Sequence, residues 1–255
     1  RRLLDHIRRR EKTVFSKYIH INDGYDYTSQ IKGLENLETL RNKPIIAIFN
    51  HSNAGTLRGK GQLLVISHYT KQKTGQEIKY LHGKDNSTLQ EWMRTQGDYV
   101  LDNIPIRDDN STEEAGSLIR NAFKNKRSMG ISPEGDGSTN VIRAIPNKSL
   151  ILAVPRSGDF MLISAIEGYS LVCFATRFED DTFFLTIDEP FDNEKIRKAK
   201  RVFAVDPENP NNKKFYSQNI ADYAMARIAR LLPEDKRGYY ADCQKIIAQF
   251  ESRCS

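Results

Sequence analysis

The segment Phe49-Asn50-His51-Ser52-Asn53-Ala54-Gly55 sets a histidine directly after the apolar run Pro44-Ile45-Ile46-Ala47-Ile48. A buried strand that ends on a histidine fixes a base at the edge of a sheet. Neutral imidazole takes up a proton near physiological pH, as few other side chains do. A second segment, Gly130-Ile131-Ser132-Pro133-Glu134-Gly135-Asp136-Gly137-Ser138, brings two carboxylates just past another short apolar run. Arg107 follows the extended stretch Asn103-Ile104-Pro105-Ile106. In open α/β sheets ligands collect at the carboxyl ends of strands, so these three ends could face one cleft. A His, a Glu and an Arg there suit acyl transfer to a hydroxyl. His51 would take the acceptor proton, the acceptor would attack a thioester carbonyl, and loop amides or Arg107 would hold the developing negative charge. Plainer roles stay open for each: an ordinary loop histidine, an Arg107 pair with Asp108 or Asp109, and loop capping by Glu134 through Gly135 and Ser138. Glu134 and Asp136 have no histidine or third carboxylate at ligand spacing, so no metal and no resident cofactor is expected.

The elements that must position these residues follow from apolar periodicity. Ile45 to Phe49, Ile78 to Leu81, Met129 to Ser132, Ser170 to Thr176 and Phe183 to Ile187 read as strands, and Tyr99 to Ile106 as extended but broken by Pro105. Leu57 to Lys73 reads as a helix, as do a segment capped by Ser87 and stopping near Gly97 and another opened by Ser111-Thr112-Glu113-Glu114 and running through Phe123. Strands alternating with helices argue for an α/β fold with a mixed, largely parallel sheet flanked by helices. Residues 1–40 read as a basic N-terminal helical segment with a turn at Asn22-Asp23-Gly24, residues 41–190 as the α/β core, and residues 191–255 as a C-terminal helical cap, one structural domain overall. Within the cap, Phe215 to Leu232 and Tyr239 to Phe250 are helices split by Pro233 and Gly238, after a Pro/Asn-rich loop at Asp206 to Asn212.

The chain has 255 residues, 38% hydrophobic and 28% charged, values that put it with soluble globular proteins. The net charge of +6 is unevenly placed, with Arg8-Arg9-Arg10 near one end and Lys195-Ile196-Arg197-Lys198-Ala199-Lys200-Arg201 far along the chain. Such runs are ordinarily solvated surface, and a basic amphipathic end can also rest on anionic lipid or an acidic carrier protein. No base-stacking motif accompanies them, so nucleic acid is not an expected partner. No stretch of 18 apolar residues is present and no signal-peptide pattern is visible. The sequence starts at Arg1 without a methionine, which leaves room for an upstream anchor. Cys173, Cys243 and Cys254 are scattered without metal-ligand spacing, as in a reducing compartment, and Cys173 falls in a strand-like run as a small core residue. A cytoplasmic location, peripheral on the inner membrane surface, is the expectation.

In order and spacing these segments resemble the glycerolipid and lysophospholipid acyltransferases over roughly residues 41 to 240. Asn50-His51 after an apolar strand, Ile104-Pro105-Ile106-Arg107 and Ser132-Pro133-Glu134-Gly135-Asp136-Gly137-Ser138 look like the family's first three blocks. Pro155-Arg156-Ser157-Gly158-Asp159-Phe160 looks like its basic-Gly-aromatic segment, and Leu171-Val172-Cys173-Phe174-Ala175 stands where its fourth block would be, without the usual proline. Ile228-Ala229-Arg230-Leu231-Leu232-Pro233 followed by Arg237-Gly238-Tyr239 looks like a common ending. The resemblance implies an acyltransferase-like fold and transfer of a fatty acyl group from acyl-CoA or an acyl carrier protein to an alcohol or lipid acceptor, as in phospholipid biosynthesis. It makes His51 the general base and Glu134 its catalytic companion, with Arg107, Gly135, Ser138, Asn53 and Thr56 on the substrates.

Two positions depart from the family. Thr56 stands where an aspartate would orient the histidine; it accepts a hydrogen bond but cannot stabilise an imidazolium as a carboxylate does. Gly137 stands where the third block carries an arginine, which removes a positive charge that family members use for a phosphorylated acceptor. Either the acceptor lacks a phosphate and Glu134 or Asp136 supplies the missing carboxylate, or the chain is a catalytically degenerate lipid- or carrier-protein-binding protein of the same fold. A metal-dependent hydrolase using Glu134 and Asp136 is a further alternative, which a chelator separates. The sequence holds no serine in a nucleophile-elbow pattern and no cysteine beside a histidine, so direct attack without an acyl-enzyme is expected.

Overall fold

The computed structural model describes residues 28–50, 57–83, 104–106, 121–133, 168–179, 182–204 and 213–255. Among the described residues, seven strands form one sheet: β1 (Thr28–Lys32), β2 (Ile45–Phe49), β3 (Ile78–Gly83), β4 (Ile104–Ile106), β5 (Ser128–Ile131), β6 (Ser170–Glu179) and β7 (Thr182–Ile187). Their spatial order is β1-β7-β6-β2-β5-β3-β4. Strands β6, β2, β5, β3 and β4 run the same way; β7 is antiparallel to β6, and β1 is parallel to β7. The fold is therefore α/β with a mixed, mostly parallel sheet.

Among the described residues, the α-helices with both ends described are α1 (Glu35–Glu38), α2 (Leu57–Thr74), α3 (Asn193–Ala204), α4 (Lys213–Arg230) and α5 (Cys243–Arg253). They cover both faces, and β2 shows how. All five of its residues are buried and apolar, as a central parallel strand requires. Alternation sends Ile45, Ala47 and Phe49 towards Val65 and Ile66 of α2, and Ile46 and Ile48 towards the layer that holds Ile196 of α3, Ile220 of α4 and Ile247 of α5. Helix α4 is buried almost all round between residues 220 and 229, which accounts for its run of alanines: three neighbours can approach only small side chains.

Two local expectations change, at residues 28–32 and at Pro105, and the reading of the basic run 195–201 as solvated surface holds. Residues 28–32, expected to be helical, form strand β1 on the sheet edge, paired residue by residue with β7. A five-residue segment has little helical tendency of its own, and β7 offers a free ladder. Gly33 then ends β1 at φ +80, where a Cβ would lie 2.0 Å from the Ile187 carbonyl oxygen. The basic run 195–201 belongs to helix α3, which buries Ile196 and Ala199 and exposes Arg197, Lys198 and Arg201. Pro105 does not break the extended stretch but sits inside β4, in register with His82 of β3; β4 stands last in the strand order, the kind of position in a sheet that tolerates proline. The helix capped by Ser87, the start of the helix opened at Ser111 and the loop Asp206 to Asn212 lie outside the described residues.

Candidate functional site

Every side chain singled out for chemistry lies outside the described residues: His51, Asn53, Thr56, Arg107, Glu134, Gly135, Asp136, Gly137 and Ser138. The residues from which their segments depart are described, and register relates them. Ala47 of β2 pairs with Gly130 of β5, which pairs with Tyr80 of β3. Three residues further along are Asn50, Pro133 and Gly83, and Gly83 pairs with Ile106 of β4. The recorded pairing ends at Ile48 with Ile131 between β2 and β5 and at Gly83 with Ile106 between β3 and β4. Asn50 follows β2 by one residue and Pro133 follows β5 by two, and His51, Glu134 and Arg107 come next in sequence after Asn50, Pro133 and Ile106. At a strand spacing of about 4.8 Å, the β2 and β5 departure points are one step apart and the β4 point is roughly 14 Å from β2.

The end of β2 is locked in place. The Asn50 side chain accepts the Thr176 N–H through Oδ1 at 2.8 Å and donates Nδ2 to the Thr176 carbonyl at 2.8 Å. A side-chain amide here imitates the backbone of one more strand residue, so pairing with β6 continues while the main chain is released from the ladder. The released Asn50 carbonyl accepts Gln62 Nε2 of α2 at 2.6 Å. Asn50, Gln62 and Thr176 are all buried. At the end of β5, Ser132 is 7% exposed and its hydroxyl has no partner among the described residues. Three buried polar side chains, Asn50, Gln62 and Thr176, are thus joined at the carboxyl end of β2, and a fourth, Ser132, follows β5. The sequence reading did not single out Gln62, Thr176 or Ser132 as functional. The one available signal was an asparagine between a fully apolar strand and a histidine.

Packing behind this end is tight. Gly130 admits the Tyr80 ring, since a Cβ there would lie 2.4 Å from Cδ1 and Cε1. Burial pushes the Tyr80 hydroxyl well above its ordinary pKa, and that hydroxyl donates to the Leu63 carbonyl at 2.9 Å and accepts Ser67 Oγ at 3.1 Å. On the opposite face Asp188, just past β7, accepts Arg227 Nε and an Arg230 terminal nitrogen, each at 2.7 Å. The Arg227 guanidinium lies over the Phe191 ring, 4.4 Å from its centroid. The Tyr223 hydroxyl beside it is pushed up to about 12 by burial. This cluster ties the β7 exit to α4.

All three cysteines are free and buried, and burial raises the Cys173 thiol well above its ordinary pKa. Cys173 therefore does not resemble an activated thiolate. Among the described residues no group of three or more His, Cys, Asp or Glu could hold a metal ion, and no helix is long and apolar enough to cross a membrane.

No protein-family model and no curated protein sequence matches the chain. Among solved structures it is similar to the 1-acyl-sn-glycerophosphate (LPA) acyltransferase PlsC from Thermotoga maritima, at 13% identity and a TM-score of 0.42, over 86% of this chain and 76% of that one. At that TM-score the likeness assigns neither an activity nor a site.

Proposed function

We propose that this protein is an acyltransferase that moves a fatty acyl group from acyl-CoA or an acyl carrier protein to an alcohol acceptor, with His51 as general base. The observation that supports it is the parallel pairing of β2, β5, β3 and β4, three of which lead in sequence into His51, Glu134 and Arg107. In such folds ligands collect at the carboxyl ends of parallel strands, and the segments with base, acid and cationic chemistry each follow such a strand in sequence. In the step proposed, His51 removes the acceptor hydroxyl proton as the oxygen attacks the thioester carbonyl. The C–S bond then breaks, and the imidazolium returns the proton to the departing thiolate. The reading assigns Arg107 and Gly135 to the substrates and gives Glu134 the carboxylate role that Thr56 cannot fill. Basic residues Arg8, Arg9 and Arg10 would hold the chain against an anionic membrane surface.

Thiol release from a panel of acyl thioesters, with and without candidate alcohols, tests the reading. Turnover that is lost in a folded His51→Ala protein and indifferent to chelator is the expected result. Turnover surviving that substitution removes His51 as the base. Donor or lipid binding without turnover, indifferent to His51, would identify a degenerate binding protein instead.

A further inference from the structure

Resting on the reading of His51 as the base, we infer that Gln62 is a positioning residue for it, acting through the Asn50 carbonyl. That carbonyl belongs to the peptide bond joining Asn50 to His51. Its oxygen lies past the last residue of β2, and at that point the Asn50 side chain has taken over the pairing with Thr176. The peptide plane that leads into the histidine is therefore oriented from the helix side, by Gln62 Nε2 at 2.6 Å. Gln62 is 1% exposed, so water cannot substitute for its amide. Helix α2 carries Gln62 in its second turn and packs Val65 and Ile66 on the sheet, so the donor is held by packing on a rigid element. A lost donor lets the Asn50–His51 plane rotate, and a base displaced by about 1 Å can lose up to 100-fold in rate.

The test compares Gln62→Met, which removes the donor, and Gln62→Glu, which keeps the length and the acceptor oxygen, with Ser67→Ala. Ser67 lies on the same helix and makes a buried hydrogen bond to Tyr80 away from the strand end. Two readouts are needed: kcat and KM for acyl-thioester turnover, and the His51 imidazole titration by NMR, assigned with His51→Ala. Both Gln62 variants are expected to lose about tenfold or more in kcat with KM little changed, and to shift the His51 titration. Ser67→Ala is expected to lower the melting temperature while leaving kcat and the titration alone. Wild-type kcat and an unmoved titration in the Gln62 variants would overturn the inference. So would loss of folding in both Gln62 variants while Ser67→Ala stays folded, because the contact would then be structural. If the native protein shows no thioester turnover but Gln62→Met moves the His51 titration, the proposed reaction fails and the positioning stands.

Discussion

Gly130→Ala probes the sheet directly behind the candidate site. The new methyl carbon would fall 2.4 Å from two Tyr80 ring carbons and 3.0 Å from Ile78 Cγ2. The ring cannot swing aside freely. Tyr80 is fully buried, meets Phe49 edge-on with centroids 5.6 Å apart, and has its hydroxyl tethered to Leu63 and Ser67. Overpacking of this kind costs about 1–3 kcal/mol, and each buried hydrogen bond stretched or lost adds roughly 1 kcal/mol. A total of about 3 kcal/mol follows, equivalent to a drop in melting temperature of roughly 6–12 °C for a chain of this size. Urea unfolding followed by circular dichroism measures it, with the slope unchanged if only native packing is affected. In a Tyr80→Leu background, where the ring edge is gone, the same substitution should cost well under half as much. A Gly130→Ala protein within about 0.5 kcal/mol of the parent, or an equal penalty in both backgrounds, would refute the steric account.

Two further outcomes follow from described residues. Asp188→Ala leaves the Arg227 guanidinium, 6% exposed, without its carboxylate; a loss of about 3–5 kcal/mol is expected by urea unfolding, with part of it recovered when Arg227→Met is added. His68 has its pKa lowered below 6.5 by desolvation, so the folded protein favours the neutral ring. Its contribution is fully present above pH 6.5 and is lost as pH falls from 6.5 through the lower folded value. The melting temperature should therefore decline across that window, and less steeply in His68→Gln.

Much of the architecture was legible along the chain because burial on both faces leaves a local trace. Ile45 to Phe49 is continuously apolar and bounded by Pro44 and Asn50, and α2 was recognisable from Leu63, Ile66 and Tyr69 at helical spacing. Residue types with proton-transfer chemistry, and their places after apolar runs, were equally visible. Strand β1 was not, since five residues with one apolar anchor become a strand only when β7 supplies the ladder. The run Lys195 to Arg201 was legible as solvated surface, but not that it buries Ile196 and Ala199, because a charge run by itself does not show what lies beneath it. The pairing of Ile48 with Ile131 and of Gly83 with Ile106 joins strands separated by tens of residues, and local sequence carries no record of such register. Gln62 reads as any surface glutamine until α2 packs against the end of β2 and its amide meets a carbonyl that has left the sheet. The sequence by itself determined which chemical groups were available and which segments had to be buried. Tertiary structure alone decided which segments pair, because hydrogen-bond register and helix docking depend on partners distant along the chain.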